Sequence, residues 1–384
     1  MISQKNDVTS ARKHVALFAA CFLLLLSSCT KNNSPTSNTA DPDPGIGGTI
    51  IFTLSNSSTD TVQSGIYALD LTYDIATLKQ LAGNYASEPL ITPDRNFIIY
   101  SLLISGSSFD IWKMGTDGSD NIDLVPDSKS STDSWSSLSP DGANIAFNSV
   151  KSISHNGQYS LVTTIDVISS AGGTSHSLTD TSTTVIPWAP FWSPDGKYIA
   201  YQVSLPTTPT SYTIRIVSPT DTSQHFDVPV SYSVHVKSGP WWSPDGKHLV
   251  FTTPAVAGTL YDWDASAHSL NTINCTYQSV YGWISNDTVL VGKAGSAGTT
   301  LYKTTLSSSA SLQQLTEIID IQKVVISKEK KMIGILGKAE NETEAGPFFY
   351  TVHFDGSNFQ KVFAFSDHKN FISNDDEQYI SWIP

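Results

Sequence analysis

Residues 192–201 read WSPDGKYIAY, and residues 242–251 read WSPDGKHLVF. The same punctuation recurs in weaker form along the chain. The copies are ITPDRN from Ile91, LSPDGA from Leu138, ISNDTV from Ile284, ISKEKK from Ile326 and ISNDDE from Ile372. The residue before the central position is always Ser or Thr: Thr92, Ser139, Ser193, Ser243, Ser285, Ser327 and Ser373. The residue after it is always acidic: Asp94, Asp141, Asp195, Asp245, Asp287, Glu329 and Asp375. Successive central positions lie 47, 54, 50, 42, 42 and 46 residues apart. Regular spacing of this kind marks a repeat architecture.

The unit is legible as chemistry. Pro pre-sets φ for the first corner of a turn, Asp accepts local backbone N–H groups, and Gly supplies positive φ. The Ser or Thr hydroxyl closes the turn from the other side. Apolar residues flank it, as in PFWS before and YIAYQV after, and the latter alternates as a strand does. Each such hairpin is followed by two more strand candidates. These turn at Asp117-Gly118, Gly172-Gly173 and Asp355-Gly356, which suit tight hairpins. The predicted unit is four antiparallel strands, and such units at this period are blades of a β-propeller. The expected fold class is therefore all-β, with seven blades and with six or eight as the alternatives. Residues 49–55, TIIFTLS, read as the strand after a missing turn. QYISWI, from Gln378, reads as the same strand again, so the C-terminal hairpin is expected to close a blade begun by the N-terminal strands. The repeated Ser–Asp pair reads as structural, because a catalytic site has no reason to recur in every unit.

The motif resembles the TolB-type propeller repeat, with its Pro-x-Trp-Ser-Pro-Asp-Gly-Lys hairpin. The match is close at 190–197 and 240–247, fair at 138–142 and 91–95, and weak in the last three copies. The resemblance covers residues 47–384. It implies the ring and leaves function open, because the same blade occurs in periplasmic adaptors, peptidase propellers and polysaccharide lyases. The α/β domain that precedes the propeller in TolB has no counterpart here, where a tether of about twenty residues stands instead. No Gly-x-Ser-x-Gly nucleophile elbow is present either.

The N-terminus reads as a targeting segment. Lys5, Arg12 and Lys13 precede an apolar run over residues 15–26 that is short for a membrane span. Leu26-Ser27-Ser28-Cys29 then resembles a bacterial lipobox. The expectation is a lipoprotein signal over 1–28, lipidated Cys29, a flexible tether over 29–48 and the propeller over 49–384. An ordinary secretory signal or an uncleaved anchor is the other reading. Asp41 and Asp43 belong to the tether, since the later ligands of a calcium loop are missing. Cys21 falls in the leader and Cys29 carries lipid, so Cys275 is left without an intramolecular partner.

The formal charge is −13, and cleavage of the leader, with three Lys or Arg and one Asp, makes it −15. No basic stripe is visible. Nucleic acid is excluded as a partner on that ground, because phosphate binding runs on clustered Lys and Arg.

Propeller ligands usually meet the mouth of the central channel, where the inner strands begin. Those positions, five to seven residues before each central residue, are Glu88, Trp135, Trp188, Ser238, Tyr281, Lys323 and His368 (or Lys369). Aromatics among mixed charges suit a peptide or a sugar. Packing between blades is the competing role for Trp135 and Trp188. The expected function is non-covalent binding of an envelope protein, peptide or glycan, by a monomer needing no cofactor. The expected location is the outer membrane facing the periplasm, with the cell surface second. The alternative is a metal-assisted glycan lyase or hydrolase. By the resemblance to propeller lyases, His235 and His368 would then reach the channel as ligands. The remaining histidines lack the short spacings of a zinc site, and His248 reads as surface or cross-strand packing.

Overall fold

The computed structural model describes residues 46–384 apart from 57–63, 73–74, 84, 107, 127–130, 156, 181–184, 206–207, 224, 232–238, 254–258, 275–278, 296–297, 307–311, 318, 345–346, 366–370 and 373–378. The described residues form strands and turns without a helix, so none crosses a membrane as one. The strands are grouped as antiparallel meanders. Four of these are separate four-stranded sheets, and a further two join into one eight-stranded sheet. The joint is a single pair, Thr299 with Ile319. The fold is a β-propeller.

Each meander starts with an innermost strand. In chain order these are Ser87–Ile91, Ser131–Leu138, Pro187–Trp192, Trp241–Trp242, Ser279–Trp283, Ile319–Ser327 and Ile380–Ile383. We call them the first to seventh inner strands. The first touches the second, the second the third, the fourth the fifth, the fifth the sixth, the sixth the seventh, and the seventh the first. The third and fourth are joined by a hydrogen bond from Trp242 Nε1 to Phe191 O, at 3.0 Å. The inner strands therefore follow one another around a closed circuit.

The repeated motif is the turn out of each inner strand. In the WSPDGK copy at 192–197, Ser193 N donates to Tyr198 O at 2.8 Å and Gly196 N to Ser193 O at 2.9 Å. The Ser193 hydroxyl donates to Asp195 Oδ1 at 2.7 Å and accepts from Tyr198 N at 2.9 Å. Thr92, Ser139 and Ser243 repeat this arrangement. Local hydrogen bonding of this kind fixes a turn without any help from the core. The sixth copy departs from it: Glu329 forms an ion pair with Arg95 of the first turn. Glycine serves twice in the strong copies. Gly246 has φ of +71°, and a Cβ there would stand 2.6 Å from Asp195 Cγ in the preceding turn. The turns thus nest against each other around one face of the ring.

Apolar side chains fill the space between neighbouring sheets. Ile51 and Ile66 of the sheet closed by the seventh inner strand pack with Ile98, Tyr100 and Met114 of the next. Ala200, Ile214 and Ile216 pack with Trp242, Leu249 and Phe251 in the same way. Each fully buried side chain of this size contributes roughly 1.5–3 kcal/mol.

The first and last described strands do share one sheet, and the structure corrects how. Ile380–Ile383 pairs with Thr49–Asn56, Ile383 opposite Thr49 and Phe52 opposite Ile380. Thr49–Asn56 also pairs with Gly65–Asp70. QYISWI is therefore not the strand after the turn; residues 380–383 occupy the innermost position, before it. Trp382 lies opposite Ile50 as Trp192 lies opposite Ile199. Trp382-Ile383-Pro384 stands where Trp192-Ser193-Pro194 stands in the third inner strand. The better copy of the turn was masked by Ile383 in place of Ser. The decoy ISNDDE falls mostly within residues 373–378, outside the described residues.

Candidate functional site

The first four inner strands share an irregularity five residues ahead of the central residue of the turn. Glu88 and Trp135 both have φ of +58°, Ala189 +48° and Gly239 +86°. In the fifth inner strand the positive φ, +132°, falls at Gly282, four residues ahead. Pairing registers slip at the same places, between Ser87 and Leu90, Ser134 and Ser137, and Trp188 and Phe191. The fifth and sixth inner strands slip alike. These are β-bulges, which bend a strand and re-aim its side chains. A positive φ at Glu and Trp is costly and needs support from its surroundings.

That support is visible at the strand-start end of the channel. Glu88 is buried; its Oε2 accepts from Trp135 N at 2.6 Å and from Ser101 Oγ at 2.7 Å. It ties the first inner strand to the second. The rings of Trp135 and Trp188 lie 5.5 Å apart, and Trp135 lies 6.4 Å from Tyr379. Tyr379 is fully buried and its hydroxyl donates to Ser136 O at 3.3 Å. It immediately precedes the seventh inner strand, so it reaches past the first inner strand to the second. An aromatic bridge therefore crosses this end of the ring. Lys323 is fully buried and Tyr281 nearly so. Trp135 and Trp188 keep partial exposure. Ser238, His235 and His368 lie outside the described residues, as do Cys29 and Cys275.

Asp133, in the second inner strand, is buried as well. Its carboxylate accepts from Ser149 Oγ at 2.5 Å and Ser131 Oγ at 3.1 Å. Desolvation outweighs these bonds and, with the nearby Asp110 and Asp166 charges, pushes its pKa up to about 6. Asp166 is itself paired with Lys151. His248 pairs across its strand with Asp262, Nδ1 to Oδ1 at 2.9 Å. Among the described residues, no group of three or more His, Cys, Asp or Glu is arranged to hold a metal.

At the turn end the channel opens into a cavity of about 420 Å³. That is the size of a small-molecule or side-chain pocket. Five inner strands line it, the first, fourth, fifth, sixth and seventh, with turn residues from the first and sixth. Its aromatic walls are Trp241, Trp242, Tyr281, Trp283 and Trp382. Their indole N–H groups are spent on the ring itself. Trp283 Nε1 donates to Trp241 O, Trp241 Nε1 to Val280 O, and Trp382 Nε1 to Gly47 O. These bonds fix the indoles in place. The charged residues among the lining are Arg95 and Lys328. Of the mouth residues expected from sequence, Tyr281 lines this cavity, while Glu88, Trp135, Trp188 and Lys323 do not. The turn-end residues were passed over because they coincide with the repeat motif, which reads as structural.

A ring of antiparallel meanders with a lined central cavity defines the class, a β-propeller. Among solved structures, an oligogalacturonate lyase in complex with manganese aligns with TM-score 0.57 and 11% identity, over 76% of this chain and 83% of that one. A puromycin-hydrolysing peptidase of Mycobacterium tuberculosis aligns with TM-score 0.57 and 11% identity, over 84% of this chain and 54% of that one. TolB from Acinetobacter baumannii aligns with TM-score 0.44 and 16% identity, over 71% of this chain. The chain spans 64% of that TolB and about half the length of the peptidase. Identities this low speak to the fold alone. No family model matches the chain, and no curated protein matches it.

Proposed function

We propose that this chain is a lipid-anchored envelope protein whose seven-bladed propeller binds a protein, peptide or glycan partner in its central channel, without covalent chemistry. The observation that carries the binding reading is the turn-end cavity, where five inner strands converge on an aromatic, preformed space of about 420 Å³. Preformed walls lower the ordering cost of binding. Trp135 and Trp188, still partly exposed at the strand-start end, offer a second aromatic contact for a long partner; Ser238 and His368 belong to the same proposed mouth. Anchoring rests on Cys29 and its lipobox resemblance, with the outer membrane facing the periplasm as the proposed address and a monomer as the proposed state.

Two experiments test this. Cys29→Ala should move the protein from the membrane to the soluble fraction; unchanged fractionation contradicts the anchor. Capture from envelope extract with Tyr281→Ala and Trp188→Ala should weaken for at least one variant. If both variants retain the partner as the parent does, the channel is not the site.

A further inference from the structure

The cavity has a charge asymmetry that the fold does not require. The chain is strongly acidic, at −13 overall, yet the charged groups lining this cavity are both cationic. Arg95 is already engaged by Glu329. Lys328 is different. Among the described residues no carboxylate pairs with its ammonium, and its desolvation is not offset, which pushes its pKa below the usual lysine value. Its place in the repeat explains why it lines the cavity. Lys328 occupies the central position of the sixth turn, where the first turn has Pro93, and Pro93 lines the same cavity. A rigid apolar corner has been exchanged for a long cation at one point of the ring. The Ser381 hydroxyl lines the wall as well. Around these stand Trp241, Trp283 and Trp382. Lys328 lines the cavity while remaining an exposed residue, so an anion that brings its own apolar body can reach it from solvent and lay that body against the indoles.

We infer that the turn-end cavity binds a carboxylate carried on an aromatic or branched apolar group, with Lys328 as the anion anchor and the tryptophan faces holding the body. The inference rests on the channel being the binding site and adds the chemical class of what enters it. A free small acid and the C-terminal carboxylate of a peptide ending in an apolar residue share this chemistry.

The test is a titration followed by tryptophan fluorescence, since four indoles line the cavity. The probes are 3-phenylpropionate, its neutral amide, and a short peptide ending in phenylalanine as free acid and as amide. The proteins are the lipid-free Cys29→Ala form alone and with Lys328→Met, Lys328→Arg or Ser381→Phe. The acid is expected to bind the parent, to weaken by about tenfold or more in Lys328→Met, and to recover in Lys328→Arg. Each amide should bind the parent and Lys328→Met alike. Tighter binding of the peptide acid than of 3-phenylpropionate identifies a protein terminus as the natural source, and the reverse a free acid. Equal acid affinity in parent and Lys328→Met, with loss in Ser381→Phe, overturns the carboxylate assignment and leaves the channel site standing. Absence of binding by every probe up to about 10 mM overturns the inference too. Binding that neither Lys328→Met nor Ser381→Phe alters overturns the channel site itself.

Discussion

Trp283 donates its indole N–H to the main-chain oxygen of Trp241 at 2.9 Å, while Trp241 donates its own to Val280 at 3.0 Å. The fourth and fifth inner strands are stitched reciprocally, by side chains rather than by a sheet ladder. Apart from the single pair Thr299–Ile319, neighbouring meanders here are separate sheets, so such bonds and the apolar packing between sheets carry the ring. Replacing Trp283 by Phe removes the donor and leaves the Trp241 carbonyl short of a partner. The expected cost is about 1–3 kcal/mol. It is read as a lower urea midpoint with an unchanged slope.

The nested turns make a second prediction. Gly246 and Gly157 both have positive φ, +71° and +77°. A Cβ on Gly246 meets Asp195 of the neighbouring turn, whereas one on Gly157 has nothing within 4 Å. Gly157→Ala should cost about 1 kcal/mol, the left-handed penalty alone. Gly246→Ala should cost clearly more, because the steric overlap is added. Equal losses would mean that the turns do not nest as described.

Buried Asp133 predicts an unusual pH response. Its pKa rises from 3.8 to about 6 on folding, through desolvation first. A raised carboxylate pKa favours the folded state at low pH, fully below about pH 4, and this contribution is lost as the pH rises through 6. Unfolding free energy should therefore gain from this group as the pH falls from about 7 to about 4, by at most about 3 kcal/mol in all, most of it between about pH 6 and pH 4. Asp133→Asn should flatten that rise. The turn carboxylates act in the opposite sense. Asp141 is held below its usual value by the Ser139 hydroxyl and then the Ala143 amide. What it contributes is present above the unfolded pKa and is lost as the pH falls through its lowered folded value. Its loss thus begins only under more acid conditions. Thermal melts of both proteins from pH 4 to pH 8 check the prediction.

A fourth prediction concerns the bridge of Tyr379 to the second inner strand. Tyr379→Phe removes the hydroxyl and its bond to Ser136 O. It should cost about 0.5–1.5 kcal/mol. Tyr379→Ala empties a fully buried site and should cost about 3–5 kcal/mol. It should also expose Trp135, measured as faster acrylamide quenching of tryptophan emission.

What the sequence disclosed follows the range of each interaction. The turn is local: Ser193, Asp195 and Gly196 satisfy one another within a few residues, so the motif predicts its own geometry and, by recurrence, the ring. The closing strand is not local. Trp382 meets Ile50 from the far end of the chain, and Ile383 erases the Ser that would have revealed it. The bulges were half visible, since Gly239 and Gly282 hint at positive φ while Glu88 and Trp135 do not. Their strain is met by partners in the next strand, which spacing does not show. The cavity was hidden for the converse reason. Its cation, Lys328, sits inside the weak copy ISKEKK, where departure from the motif reads as degeneration rather than as a change of purpose.

The central claim is that the partner enters the channel at the turn end. Hydrogen exchange of the lipid-free protein, alone and with its captured partner, tests this most directly. Protection should appear in the segments that line the cavity, 241–242, 281–283, 324–328 and 380–383, with the outer strands of the meanders unchanged. Protection confined to outer strands, with these four segments exchanging as in the free protein, would contradict the account.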